Sequence, residues 1–180
     1  MRLLWLTREW RLNYNWLIGA KRIEAVRFIV DHNAGKLAKW LRMMGYDSLF
    51  FKGCDDSGII AIALSQERII LTRDTGIAKR RLIKRGRLTA VLLTSDKPLL
   101  QMRQVIDELN LKINFKPFSI CLECNRALKE KSREQVKERV PSYVLKTQNQ
   151  YMECPNCQRI YWKGTHWHAM KKKLAVFFED

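Results

Sequence analysis

Short apolar runs alternate with amphipathic segments between residues 26 and 109. The apolar runs predict four β-strands, over residues 26–30, 47–51, 69–72 and 89–94. The segments that follow them repeat apolar residues every three or four positions, which predicts helices over residues 34–44, 59–66, 77–87 and 99–109. This alternation predicts an α/β fold with a mostly parallel sheet that helices cover on both faces.

The pattern changes near Pro117. The chain beyond it carries two C-x-x-C pairs separated by a polar stretch, with too few apolar residues for a core of its own. Small modules of this kind are commonly held together by a metal ion. Residues 165–178 are basic and amphipathic and predict a final helix. We therefore divide the chain into an N-terminal extension (1–24), an α/β domain (25–116) and a small module with a C-terminal helix (117–180).

The chain is strongly basic, with 34 Lys and Arg against 18 Asp and Glu and a net charge of +16. A protein with this charge binds a polyanion or exposes a solvated cationic face. No apolar run is long enough to span a membrane, and residues 1–20 lack the apolar core of a signal peptide. Nucleic acid is therefore the expected partner and a membrane is not. The cysteine usage favours a reducing compartment, so a cytoplasmic location is expected.

Aspartates follow the predicted strands at their carboxyl ends. Asp31 and Asp74 follow the first and third strands, and Asp96 follows the fourth. Ligands bind at this end of the strands in open α/β sheets. Carboxylates gathered there repel one another unless a divalent cation neutralises them, and phosphoryl transfer is the usual chemistry of such a site. Asp31 and Asp74 are therefore the strongest candidate ligands of Mg²⁺.

Two further aspartates, Asp55 and Asp56, stand just before a predicted helix. Asp56 is the next candidate ligand. A helix cap explains Asp55 equally well, and it explains Asp96, which precedes Lys97-Pro98, better than a ligand role does.

The cysteines predict a second metal site. Four of the five form the pairs Cys121-x-x-Cys124 and Cys154-x-x-Cys157, separated by 29 residues. Tetrahedral Zn²⁺ takes four thiolates from two such pairs, so a structural zinc site without an open position is predicted. The fifth cysteine, Cys54, is expected to be a small buried residue or a free thiol.

Basic residues follow the acidic positions and could bind a phosphate backbone. A solvated helix face is the alternative explanation. The candidate substrate-binding cations are Lys36, Arg42, Arg73, Lys79 and Arg80. Four aromatic residues could stack on bases, although aromatic residues in small domains more often form the core: Trp40, Tyr143, Tyr161 and Trp162.

Several segments occur in order along the chain: F-I-V-D-H-N-A-G-K-L-A-K-W-L-R-M-M-G-Y-D, D-D, I-I-L-T-R-D, C-L-E-C-N, V-P-S-Y-V and C-P-N-C-Q-R-I-Y-W-K-G-T-H-W. Together they resemble the Mut-seven C-terminal RNase domain family, which belongs to the PIN-like nucleases. The resemblance covers residues 26–170, nearly everything except the N-terminal extension.

The resemblance implies a PIN-like three-layer α/β/α fold followed by a small zinc ribbon. It implies a ribonuclease that depends on Mg²⁺ or Mn²⁺. Asp31 matches the first acid of the PIN pattern, and Asp74 matches the acid of its T-x-D motif, which Thr72 supports. The Asp55-Asp56 pair matches the middle acids, where many PIN nucleases carry Glu instead, and Asp96 matches the last acid more loosely.

We therefore expect a metal-dependent ribonuclease whose catalytic residues are Asp31, Asp56 and Asp74. RNA is the expected substrate, with Mg²⁺ or Mn²⁺ at the acidic site and structural Zn²⁺ at the cysteines. Two alternatives remain open, a non-catalytic RNA-binding zinc-ribbon protein whose acids are structural, and a PIN-type toxin. The sequence leaves open the RNA target, the endo- or exonucleolytic mode and the oligomeric state.

Overall fold

The structure is a computed structural model that describes residues 26–53, 55–111, 119–175 and 177. The predicted N-terminal extension, Cys54 and the predicted boundary at 116/117 lie outside the described residues. The described chain forms two compact units. The first contains residues 26–41 and 46–111, and the second contains residues 42–45 and 119–177.

A four-stranded parallel sheet organises the first unit. Its strands are β1 (Arg27–Val30), β2 (Asp47–Phe50), β3 (Ile69–Thr72) and β4 (Ala90–Leu92), in the order β2-β1-β3-β4. The predicted α/β class and parallel sheet are confirmed. Val30 of β1 is in register with Leu71 of β3, so the residues that follow these two strands emerge side by side at one edge.

The helices within residues 26–111 of the described chain are α1 (Gly35–Met43), α2 (Asp56–Ser65), α3 (Thr75–Ala78), α4 (Arg81–Lys84) and α5 (Pro98–Leu109). The prediction of one continuous helix over residues 77–87 is wrong, because the backbone leaves the helix at Arg80, with ψ of 143°. Ile77 and Ile83 both enter the same buried cluster. Six residues make one and two-thirds turns, so an unbroken helix would point these side chains in different directions. The break brings both into the core.

The core of the first unit covers the sheet on both faces. Phe28, Ile29 and Val30 of β1 are all fully buried. Successive side chains of a strand point to opposite faces, so neither face of the sheet is open at β1. One buried cluster joins the sheet to α2, α3 and α4, and its members are Ile29, Ile59, Ala63, Ile70, Ile77, Ile83 and Leu88.

The second unit contains a three-stranded antiparallel sheet. Its strands are β5 (Lys129–Lys131), β6 (Tyr151–Glu153) and β7 (Ile160–Tyr161), in the order β5-β6-β7. Its helices are α6 (Arg133–Val136), α7 (Ser142–Thr147) and α8 (Thr165–Ala175), the last of which confirms the predicted final helix. Its buried cluster is small and consists of Val136, Val140, Val144 and Tyr151. Across the described residues of both units, no helix is long and apolar enough to cross a membrane.

Candidate functional site

Asp31 lies at the carboxyl end of β1 and is 3% exposed. Its Oδ1 accepts the backbone N–H of His32 at 2.7 Å and lies 2.8 Å from the Nδ1 of the same residue. Its Oδ2 accepts the amide of Asn33 at 2.8 Å and the hydroxyl of Thr72 at 2.7 Å. A carboxylate offers about four lone-pair positions, so hydrogen bonds can fill every position on Asp31. These contacts fix the carboxylate in place.

Thr72 connects Asp31 to Asp74. Its hydroxyl donates to Asp31 and accepts the backbone N–H of Asp74 at 2.9 Å. Thr72 is fully buried and is the last residue of β3, which lies next to β1. The parallel register therefore brings Asp31 and Asp74 to the same edge of the sheet, with one buried hydroxyl between them.

Asp74 and Asp55 both cap helices. Asp74 is exposed, and its Oδ1 accepts the N–H of Gly76 at 2.5 Å at the start of α3. Asp55 is also exposed, and its two oxygens accept the N–H groups of Ser57 and Gly58 at 3.0 and 2.9 Å. The side-chain oxygen of an N-cap residue satisfies backbone donors that have no partner inside the helix. The capping explanation thus accounts for both oxygens of Asp55.

The other two candidate acids differ in their surroundings. Asp56 lies in the first turn of α2, and its Oδ2 accepts a hydrogen bond from Arg80 at 3.1 Å. Asp96 is exposed and follows β4. Among the described residues, the aspartates form no group of three or more close enough to share one metal ion. The structure brings Asp31 and Asp74 to one edge but does not gather all five acids.

The predicted substrate-binding cations fall into two groups. Lys36, Arg73, Lys79 and Arg80 are exposed, as a surface that binds phosphate requires. Arg42 differs from the expectation, since it is 4% exposed and donates through Nη1 to the carbonyl oxygens of Leu122 and Glu123, at 2.7 and 3.0 Å. Both carbonyls belong to the first C-x-x-C segment, so the guanidinium holds that segment and does not face solvent.

The four paired cysteines form a cluster that could hold a metal ion. Neighbouring sulfur atoms lie 3.3 to 3.6 Å apart, and all four sulfurs lie within 4.8 Å of one another. Zn–S bonds of about 2.3 Å in a tetrahedron require sulfurs about 3.8 Å apart, so the cluster fits Zn²⁺ with a small expansion. The ligand set Cys121, Cys124, Cys154 and Cys157 is the one predicted.

The two C-x-x-C segments repeat the same backbone turn. Asn125 and Gln158 each donate their N–H to the first cysteine of their own pair, at 3.0 and 2.9 Å. Both residues have positive φ, 59° and 58°, a conformation that asparagine tolerates better than most residues. The backbone of each turn therefore aims two sulfurs at a common point.

The pKa values of the Cys121 and Cys124 thiols are shifted in opposite directions. Burial raises the pKa of Cys121, but the hydroxyl of Tyr161 and nearby backbone N–H groups outweigh it and lower that pKa to about 6. Burial, with hydrogen bonds to Cys154 and Cys121, raises the pKa of Cys124 to about 12. Zn²⁺ binds thiolates, so its binding releases protons and its affinity falls as the pH is lowered.

His32 and Asn33 contact Asp31 and were not among the predicted site residues. Asp31 caps the short 3₁₀ turn over His32–Ala34. The side chain of Asn33 donates to Asp31 and accepts the N–H of Arg73 at 3.2 Å. Polar side chains directly after a strand-end aspartate are the available signal, since short side chains bond to nearby groups.

Comparison with known proteins decides the family. The family model described as Mut7-C RNAse domain matches residues 26–174, most of the chain. The chain belongs to the Mut7-C RNase domain family. No curated protein and no solved structure matches the chain. Membership in the Mut7-C family indicates a ribonuclease-type hydrolase and makes RNA the indicated substrate.

Proposed function

We propose that this Mut7-C protein cleaves RNA phosphodiester bonds with the help of a Mg²⁺ or Mn²⁺ ion at the carboxyl edge of its parallel sheet. The observation that carries the proposal is the connection from Asp31 through Thr72 to Asp74. It supports the proposal because Asp31 and the backbone of Asp74 share one buried hydroxyl at the carboxyl edge of the sheet, where ligands bind in open α/β sheets. On the basis of the family resemblance, we also propose that residues 25–116 form a PIN-like three-layer α/β/α domain. Residues 117–180 then form a zinc ribbon with a C-terminal helix.

The donor set fits a hard cation. Mg²⁺ prefers oxygen ligands and needs only one or two carboxylates, with water and substrate phosphate completing its shell. Asp31 and Asp74 supply these carboxylates, and we propose that Asp56 joins them as a third ligand after its carboxylate leaves Arg80 and turns to the ion. The side chain of His32 is half exposed, so its imidazole can turn away and free one position on Oδ1 of Asp31. We propose that Asp55 and Asp96 contact the ion only through water, as outer-sphere ligands.

The chain's own residues prepare the edge for an RNA backbone. A bound divalent ion supplies charge neutralisation at the phosphate and a more acidic water. Asp31 keeps the hydrogen bonds from the N–H of His32, the amide of Asn33 and the hydroxyl of Thr72, so its carboxylate does not have to reorganise. Lys36, Arg73 and Lys79 are exposed and can bind the flanking phosphates. Arg80 is paired with Asp56 and becomes available to phosphate when that carboxylate turns to the ion.

The test is cleavage of labelled single-stranded RNA by zinc-loaded full-length protein freed of Mg²⁺ and Mn²⁺. Metal is added back, because a chelator strong enough to stop the reaction also removes zinc. We expect cleavage only after Mn²⁺ or Mg²⁺ is added. Asp74→Asn should lower the rate by about 10²-fold or more, the scale on which loss of one charge-stabilising group acts. Asn caps helices as well as Asp does, so the fold is preserved.

The matched control is Asp107→Asn, which removes an exposed carboxylate of α5. It should leave cleavage unchanged, and both variants should bind RNA as the wild type does. Retained cleavage in Asp74→Asn would refute the assignment.

The non-catalytic alternative has one observation in its favour, since Asp55 and Asp74 both have capping roles. It predicts RNA binding without metal-dependent cleavage in the same assay. The PIN-type toxin alternative predicts growth arrest on expression of the wild type but not of Asp74→Asn.

A further inference from the structure

An apolar cavity of about 300 Å³ lies within the second unit. Its volume is at the small end of ligand cavities, which span about 300 to 1,000 Å³. Its walls are aromatic and aliphatic and include Tyr143, Tyr161, Trp162, Trp167, Ile160 and Met170. A cavity of this size with aromatic walls suits one small planar ring system.

Tyr143 lines the cavity and is itself 64% exposed, so this wall can be reached from solvent. Trp162 is packed closely on Gly164, where an added Cβ would lie 2.8 Å from the indole nitrogen. Tyr161 donates to, or accepts from, the sulfur of Cys121 at 3.1 Å. The zinc cluster and a glycine therefore fix two walls, while Tyr143 is an accessible third.

Positive charge surrounds the aromatic wall. The ammonium groups of Lys163 and Lys171 lie 5.9 and 5.5 Å from the centre of the Trp167 ring. Helix α8 continues with Lys172 and Lys173 and contains no acidic residue. An apolar peptide or a second apolar surface does not require these cations. A ligand that is flat and apolar in one part and anionic in the next matches both features.

We propose that this cavity holds one unpaired base of an RNA strand, with the adjoining phosphates on Lys163 and Lys171. Proteins bind single-stranded RNA by stacking splayed bases on aromatic side chains beside a cationic track. The inference rests on the proposed function only in taking RNA as the ligand. It assigns the second unit a part in substrate binding that is separate from its zinc site.

The experiment measures RNA affinity and not cleavage. The protein is the zinc-loaded full chain carrying Asp74→Asn, so that the RNA stays intact and a failure of the nuclease proposal does not affect the result. Fluorescence anisotropy gives Kd for a short labelled single strand at fixed salt, and for the same strand with abasic sites. We expect the abasic strand to bind about 5- to 100-fold more weakly, the range that one stacked base supplies.

Variants then locate the effect. Tyr143→Ala should weaken binding of the intact strand by a similar factor and remove the preference for it over the abasic strand. Tyr143→Phe keeps the ring and should restore both. Leu100→Ala, which truncates an exposed apolar side chain of the first unit, should change neither.

Two results would overturn the proposal. One is equal affinity of the Asp74→Asn protein, with Tyr143 in place, for intact and abasic strands. This comparison needs no cavity variant, so it does not depend on how Tyr143→Ala folds. The other is a Tyr143→Ala protein with full zinc content that keeps its preference for the intact strand. Absence of metal-dependent cleavage in the wild type, with these affinities as expected, would refute the nuclease proposal alone.

Discussion

The two units position their ligand atoms by different means. In the first unit, strands with fully buried side chains such as Ile29 and Ile70 set the register, and the register places Asp31 beside Thr72. In the second unit, the buried apolar cluster has four members, and two backbone turns direct the four sulfurs. A large apolar core can hold carboxylates without an ion, whereas a small one needs the ion as part of the fold.

The ligand chemistry differs in the same way. Carboxylate oxygens select hard cations such as Mg²⁺ and Mn²⁺, and thiolates select Zn²⁺. Asp31 already has hydrogen-bond donors on both oxygens, so this buried carboxylate is satisfied without an ion. The cysteines have only one another and a few N–H and O–H donors. Loss of metal should therefore affect the two units unequally.

The largest effect is expected from Cys154→Ser or from removal of zinc. Structural zinc contributes about 10 to 16 kcal/mol in zinc-finger peptides, whereas one buried apolar side chain contributes about 1.5 to 3 kcal/mol. We expect residues 119–177 to become sensitive to protease while residues 26–111 remain resistant, as followed by mass spectrometry of the fragments. Cys54→Ser is the matched control, since Cys54 belongs to neither C-x-x-C pair. A protease-resistant second unit with no zinc bound would contradict this contrast.

A smaller effect, confined to the first unit, is expected from Thr72→Val. The substitution keeps the shape but removes a buried donor to Asp31 and the acceptor for the N–H of Asp74. Leaving buried polar groups unpaired costs about 1 to 3 kcal/mol each. Denaturant unfolding should show this loss, and RNA cleavage should fall with it. Thr72→Ser keeps the hydroxyl and should recover most of the stability and most of the cleavage. Equal stability of Thr72→Val and wild type would contradict the proposed role of the Thr72 hydroxyl between Asp31 and Asp74.

The smallest effect concerns Glu153 in the second unit. The hydrogen bond from Arg139 and the charge of Lys131 lower the pKa of this buried carboxyl. Its folded pKa lies below the unfolded value of about 4.3, so its stabilisation is present above that pH and disappears as the pH falls through the folded pKa. Glu153→Gln should cost about 1 to 3 kcal/mol at neutral pH.

That cost should shrink as the pH falls towards the folded pKa, as measured by denaturant unfolding down to the lowest pH at which the protein keeps its zinc. Glu130→Gln, at an exposed position of β5, is the control and should change stability little at any pH. A pH-independent loss in Glu153→Gln would show that the ion pair is not its source.

The sequence predicted the strands of the first unit well because its apolar runs are short, buried and bounded by charges. β3 (Ile69–Thr72) has the predicted bounds, and its carboxyl end leads to Asp74 as expected. The C-x-x-C spacing predicted the metal ligands because a tetrahedral site limits which ligands can meet. Both signals are local in sequence.

The errors arise where tertiary contacts override a local pattern. Arg42 has the spacing of an exposed helix face, yet it is buried on carbonyls of residues 80 and 81 positions further along the chain. The break at Arg80 allows Ile77 and Ile83 to enter the same buried cluster. Their spacing does not match a helical repeat, so the sequence pattern does not reveal that they are buried together. The hydrogen bond from Thr72 to Asp31 depends on the β1–β3 register, so it could be read only from the structure.

The most direct test of the account is a Mn²⁺ titration of the zinc-loaded full chain, followed by electron paramagnetic resonance of free Mn²⁺. We predict that the wild type binds Mn²⁺, that Asp74→Asn weakens this binding by about 10-fold or more, and that Asp107→Asn leaves it unchanged. The zinc content should stay the same in all three proteins. Equal Mn²⁺ binding by wild type and Asp74→Asn would contradict a divalent-ion site at the carboxyl edge of the sheet.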